Sequence, residues 1–171
     1  MGEARMRPEV LCEPMPAPQR IAPYAAALSA DVTVDGVDVS TGRLILLHDP
    51  AGNDAWDGTF RFVAYARTEI DLEMITDPAL ADVGWSWLTE ALEQNGAAHV
   101  ALGGTVTQTS SVRFGDIAGP RRDDDVELRA SWTPVGGDGS GVDLRCHAEA
   151  FCTLVSTAAG LPPVGIAQLT R

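Results

Sequence analysis

The sequence predicts an α+β fold, a single antiparallel sheet of about five strands with helices packed on one face, in the order α-β-β-β-α-β-β-α. Three observations carry this. Residues 59–74 alternate apolar and polar at period two, as a strand with one core face and one wet face does. Residues 78–94 are apolar at helical spacing between an Asp-Pro start and an Asn-Gly stop. No strand–helix–strand repeat follows that would build a doubly wound parallel sheet.

Taken in order, residues 1–17 carry Pro8, Pro14 and Pro16 without periodicity. They read as an extended arm ahead of one domain over 18–164, with 165–171 as a tail. Residues 17–29 place Ile21, Tyr24, Ala25 and Leu28 at helical spacing and predict a short helix, with Pro23 near its start. V-T-V-D-G-V over 32–37 predicts a strand entering a turn at Asp35-Gly36, and R-L-I-L-L-H over 43–48 a buried strand. In the strand over 59–74, Phe60, Phe62, Ala64, Ala66, Ile70, Leu72 and Met74 share one parity. Arg61, Val63, Tyr65, Arg67, Glu69, Asp71 and Glu73 share the other.

The helix over 78–94 is capped by Asp77, opened by Pro78 and closed by Asn95-Gly96. Leu80, Gly84, Trp87, Leu88, Ala91 and Leu92 lie on one arc, flanked on its far edge by Trp85. Trp87 is therefore expected in the core and Trp85 at a rim where a partner could reach it. Residues 97–114 and 126–133 predict two strands paired across a long loop, with Val126, Leu128, Ala130 and Trp132 inward. The last segment alternates like a strand, yet Leu144, Ala148, Phe151, Val155 and Ala158 also form a helical stripe. Gly160-Leu161-Pro162-Pro163 is a helix stop and Ser140-x-x-Asp143 a capping box, so a helix is expected.

Composition excludes several functions. The 171 residues carry a net charge of −12, and all twelve basic residues are arginine. Without lysine there is no Schiff-base amine and no P-loop lysine. The acidic balance argues against nucleic acid and against anionic membrane surfaces. No N-terminal apolar run suits a signal peptide and none elsewhere would span a bilayer, so a cytoplasmic protein is expected. Cys12, Cys146 and Cys152 are an odd set without a C-x-x-C pair, which gives neither a disulfide framework nor a zinc knuckle.

The densest polar cluster is H-D-P-A-G-N-D-A-W-D-G, residues 48–58. A calcium loop needs oxygen ligands at alternating positions and a distal glutamate, and both registers fail at alanines. Turn chemistry between two strands is the main reading. His48, Asp49, Asp54 and Asp57 remain as ligand candidates. G-G-D-G-S-G over 136–141 fits no G-x-G-x-x-G frame, and no strand follows it, so a flexible linker is expected and no dinucleotide cofactor. Glu69, Asp71 and Glu73 on one strand face could support paired-carboxylate chemistry, although a solvated face is the commoner meaning. His48, His99 and His147 show no metal-binding spacing, and neither metal nor cofactor is expected.

Taken together, G-R-L-I-L-L-H-D-P-A-G-N-D-A-W-D-G-T-F-R-F-V-A-Y, V-G-W-S-W-L-T-E-A-L, L-G-G-T-V-T-Q-T-S-S and A-A-G-L-P-P resemble the actinobacterial family called domain of unknown function 3000, over about residues 17–164. The GC-rich codons of Arg, Ala, Gly and Pro agree with such a source. The family implies no activity, cofactor or catalytic residue. The element order is also similar to that of type III secretion chaperones. The expected function is a non-enzymatic, acidic protein-interaction domain, chaperone- or adaptor-like, acting as a homodimer or with a protein partner. Trp85 and Trp132 are the interface candidates. The alternative is a small enzyme or ligand-binding protein with its site near the 48–58 loop and the 69–73 strand.

Overall fold

In the computed structural model, which describes residues 7–119, 123–136 and 141–162, period-two alternation governs more of the chain than the sequence suggests. Strands β1 (Val10–Met15), β2 (Tyr24–Val34), β3 (Val37–Asn53) and β4 (Gly58–Glu69) come first, and a one-turn helix α1 (Leu72–Ile75) and the long helix α2 (Leu80–Gln94) follow. Then come β5 (His99–Ser111), a single 3-10 turn at Gly115–Ile117, β6 (Asp123–Pro134) and helix α3 (Leu144–Ala158). The six strands form one sheet in the order β1-β2-β3-β4-β6-β5, and every neighbouring pair is antiparallel. The connection from β4 through α2 to β5 therefore skips one position, which β6 fills later in the chain.

Alternation builds the core. Phe62, Ala64, Ala66 and Thr68 of β4, with Val126, Leu128, Ala130 and Trp132 of β6, are buried on one face. Leu88, Ala91 and Leu92 of α2 and Ala150, Phe151, Leu154 and Val155 of α3 close over them. Small residues in the sheet set how closely the helices approach. A Cβ on Gly42 would sit 2.6 Å from Val155 Cγ1 and 2.7 Å from Phe151 Cζ. At Gly104 the obstacle is backbone: an added Cβ would lie 2.9 Å from Ala130 Cα and against the Arg129 carbonyl. Gly104→Ala should cost ~1–3 kcal/mol, as overpacking does where no side chain can swing away. A urea midpoint equal to that of the wild type would contradict this spacing.

The α+β class, the single antiparallel sheet and the helices on one face agree with the sequence reading. The element order does not, and the sheet has six strands where about five were expected. Residues 17–29 contribute to strand β2 and not to a helix. Tyr24–Val34 pairs with β1 on one side and β3 on the other, which buries Ala30 and Val32 completely. Four residues at helical spacing could not outweigh two strand ladders, and Ile21 and Tyr24 of that stripe are exposed. The arm contains the edge strand β1. With its first helix gone, the chain no longer shares the order that resembled the secretion chaperones.

Boundaries moved as well. The strand expected over 59–74 stops at Glu69, where Asp71 precedes the turn of α1. Asp77 Oδ1 accepts from Ala79 N at 2.9 Å, but that bond closes the turn ahead of α2 and not the helix itself: regular helix begins at Leu80, and its N-cap is Ala79, without a side-chain cap hydrogen bond. Asp35 and Gly36 both have positive φ, 52° and 78°, the two left-handed positions of a tight β2–β3 hairpin. α3 is capped by Asp143, whose carboxylate accepts from Arg145 N at 2.9 Å. Ser140 of the expected capping box, most of the 136–141 linker and the 165–171 tail lie outside the described residues.

Candidate functional site

The 48–58 segment is a hairpin, and its polar groups serve the turn. β3 continues to Asn53, which pairs with Gly58. Asp49 Oδ1 accepts from Ala51 N at 3.1 Å and Asn53 Oδ1 from Ala55 N at 3.0 Å, two local side-chain turns. Asp54 and Asp57 are exposed at the tip, with Asp57 at φ 58°. His48 belongs to an aromatic ladder across three strands, stacked on Phe60 at 4.1 Å and 5.8 Å from Tyr24. The four ligand candidates are therefore dispersed. Among the described residues no group of three or more His, Cys, Asp and Glu is arranged to hold a metal ion.

Glu69, Asp71 and Glu73 do not share a strand face either. Glu69 ends β4, Asp71 leads into α1 and Glu73 lies in its first turn. Glu69 and Asp71 line a wide depression of about 1200 Å³ at this end of the sheet, with Arg67, Arg113, Asp123, Asp125, Val83 and Trp87. Arg67 is paired with Asp125 at 2.8 Å, and that hydrogen bond raises the pKa of the guanidinium. The 48–58 hairpin and the Glu69–Glu73 segment sit at opposite ends of β4, roughly 35 Å apart by strand rise. They cannot form one site.

The tryptophans divide differently from the sequence reading. Trp85 and Trp87 are both half-buried and both pack against the core cluster. Trp132, named as an interface candidate, is 0% exposed in the centre of the core. Its Nε1 donates to His147 Nδ1 at 3.0 Å, and Phe62 stacks against the indole at 5.6 Å between centroids. Burial pushes the His147 pKa down to about 4; nearby His99 lowers it further and Asp143 opposes. The sequence marked Trp132 as inward-facing, but it held no sign that His147 would accept its proton.

A surface that sequence reasoning passed over is the other face of the sheet. Among the described residues no helix lies on it, because α2 and α3 both pack on the Phe62–Trp132 side. Strand register brings odd-numbered residues together there. One row joins Ala27, Ile45, Val63 and Ser131; the next joins Ser29, Arg43, Tyr65, Arg129 and Thr105. Ala25, Leu47 and Arg61 form the row toward the hairpin, where Arg61 reaches Thr133 and both Leu47 and Thr133 are buried, and Thr41, Arg67, Glu127 and Thr107 form the row beyond. Four of the twelve arginines thus stand on three adjacent strands.

These arginines are held in different ways. The Arg129 guanidinium lies 5.5 Å over the Tyr65 ring and donates to Glu127 at 2.6 Å. That hydrogen bond lowers the Glu127 pKa, while burial and Glu127 raise that of Tyr65. Arg61 donates to Ser131 Oγ at 2.7 Å, Thr133 Oγ1 at 3.1 Å and the Ala101 carbonyl at 3.0 Å, all uncharged acceptors. Arg43 is exposed and, among the described residues, has no ion-pair partner. The centre of this face is an apolar strip, Ile45 and Val63, bordered by two cations, Arg43 and Arg61, that no carboxylate among the described residues neutralises. Alternation exposed only the β4 part of the pattern: the polar parity of 59–74 included Arg61, Val63, Tyr65 and Arg67, while Arg43 and Arg129 come from the neighbouring strands.

The chain belongs to the family described as Protein of unknown function (DUF3000), whose model matches residues 1–167. The resemblance read from the sequence motifs is thereby confirmed over nearly the whole length. No curated protein and no solved structure matches the chain. No helix among the described residues is long and apolar enough to cross a membrane.

Proposed function

We propose that this member of the DUF3000 family is a protein-interaction domain whose uncovered sheet face receives an acidic polypeptide segment. The observation that carries the reading is the Arg43–Arg61 pair beside the apolar Ile45–Val63 strip, on a chain whose net charge is −12. An acidic protein that presents an apolar strip edged by unneutralised guanidinium groups favours partners that are themselves acidic and partly apolar. Arginine suits this role because its planar fork binds a carboxylate with two parallel hydrogen bonds. A second copy meeting this face symmetrically would set arginine against arginine, so a different, acidic partner fits better.

The test uses a fluorescein-labelled peptide of alternating Glu and Leu, titrated with the full chain and followed by anisotropy. Binding should weaken with salt. Arg43→Glu should weaken it at least tenfold, about 1.4 kcal/mol, with an unchanged urea midpoint because the side chain is exposed. Absence of binding, or binding indifferent to Arg43→Glu, refutes the reading. A concentration-dependent dimer in sedimentation that Arg43→Glu disrupts would instead assign the face to a second copy.

A further inference from the structure

We propose that Cys12 and Cys152 are the site of a reversible, internal disulfide, formed by reaction with a peroxide, that staples the first strand of the sheet to the last helix. The two Sγ atoms lie 3.7 Å apart although the residues are 140 positions apart in sequence. Cys12 sits opposite Ala30 on the core face of β1, and Cys152 lies on α3. A disulfide needs the sulfurs at about 2.05 Å, so they must close by roughly 1.7 Å, within reach of side-chain rotation. The same two ends of the chain already meet nearby, where the Arg7 guanidinium donates to the Pro162 carbonyl. Cys146 is not a competitor, because its thiol donates to the Asp143 carbonyl within its own helix at 3.0 Å.

The chemistry assigns the two sulfurs different roles. The shared hydrogen bond pulls the Cys12 thiol pKa down and pushes that of Cys152 up, which makes Cys12 the nucleophile. The Cys12 thiolate attacks one oxygen of hydrogen peroxide; an S–O bond forms, the O–O bond breaks, and the departing hydroxide takes a proton to become water. The Cys152 sulfur then attacks the resulting sulfenic acid. The S–S bond forms, the S–O bond breaks, and the released hydroxide leaves with the Cys152 proton as a second water. Two thiols and one peroxide give one disulfide and two waters, each sulfur losing one electron and the peroxide gaining two. A thiol reductant reverses it.

The bond would close a loop over most of the chain, where the restriction of the unfolded state is large. It would also pin β1, an outer strand of the sheet. The full chain, treated with stoichiometric hydrogen peroxide and then alkylated in denaturant, should lose two hydrogens and accept a single maleimide, on Cys146. Peptide mapping should show a Cys12–Cys152 link within one molecule, and Tm should rise by several degrees and return with dithiothreitol. Cys146→Ser should behave as the wild type, whereas Cys12→Ser should form no internal link. The proposal is overturned by three maleimides after oxidation, by a link through Cys146 or between molecules, or by sulfinic acid accumulating on Cys12. A link that forms without any rise in Tm would overturn the stapling role.

Discussion

Trp132→Ala is expected to destabilise the fold by ~3–5 kcal/mol, the cost of truncating a large aromatic in a closed core. The indole is fully buried between Phe62 and His147. Its loss would remove dispersion contacts from both helices' side of the sheet, and the surrounding residues belong to sheet and helix and cannot all move in to refill the space. A second cost adds to the cavity. His147 Nδ1, buried with the ring 1% exposed, would lose its donor. Trp132→Phe should recover most of the packing but not the hydrogen bond, and fall between the two. Urea denaturation decides the matter; a loss for Trp132→Ala of under ~1 kcal/mol would mean the core closes around the gap.

Stability should also fall by about 3 kcal/mol as pH drops from 6.5 to 4 through His147 alone. The sign follows from the depressed pKa. In the unfolded chain His147 takes its proton near the ordinary value of 6.5, whereas in the fold it does so only at about 4. Between those values the unfolded state binds more protons, so the stabilisation present above 6.5 is progressively lost on acidification. The cause is local. Burial penalises the imidazolium, and a proton on Nδ1 would face the Trp132 N–H instead of accepting from it. Wild type and His147→Leu should therefore respond differently, with the wild type losing clearly more stability between pH 7 and 4.5. Parallel losses in the two proteins would show that the carboxylates, and not this imidazole, set the acid limit.

Where burial followed sequence periodicity, the fold was legible. The apolar arc of α2 and the parities of β4 and β6 were visible because each element carries its own amphipathic signal over ten or more residues. β2 was not, because Y-A-A-A-L-S has little strand character of its own and acquires it from ladders on both sides. β1 was missed for a related reason. It is an edge strand containing Pro14, and its contribution to the core is limited to Val10 and Cys12. The site was less legible than the fold. The polar cluster at 48–58 read as turn chemistry and is a turn, whereas the arginine face is assembled from β3, β4 and β6, which no linear pattern joins.

The late placement of β6 between β4 and β5 also governs when the protein can assemble during synthesis. Hairpins β1–β2, β2–β3 and β3–β4 need only local pairing and can form as they emerge. β5, made next, has no strand to join, since among the described residues its only sheet partner is β6. Until residues as far as Pro134 have left the ribosome, β5 has no strand beside it, and the apolar underside of α2 waits longer still, for α3. The sheet then closes in one event, by insertion of a strand that pairs on both edges at once. A chain truncated before Asp123 is therefore two unjoined pieces and not a smaller version of the domain.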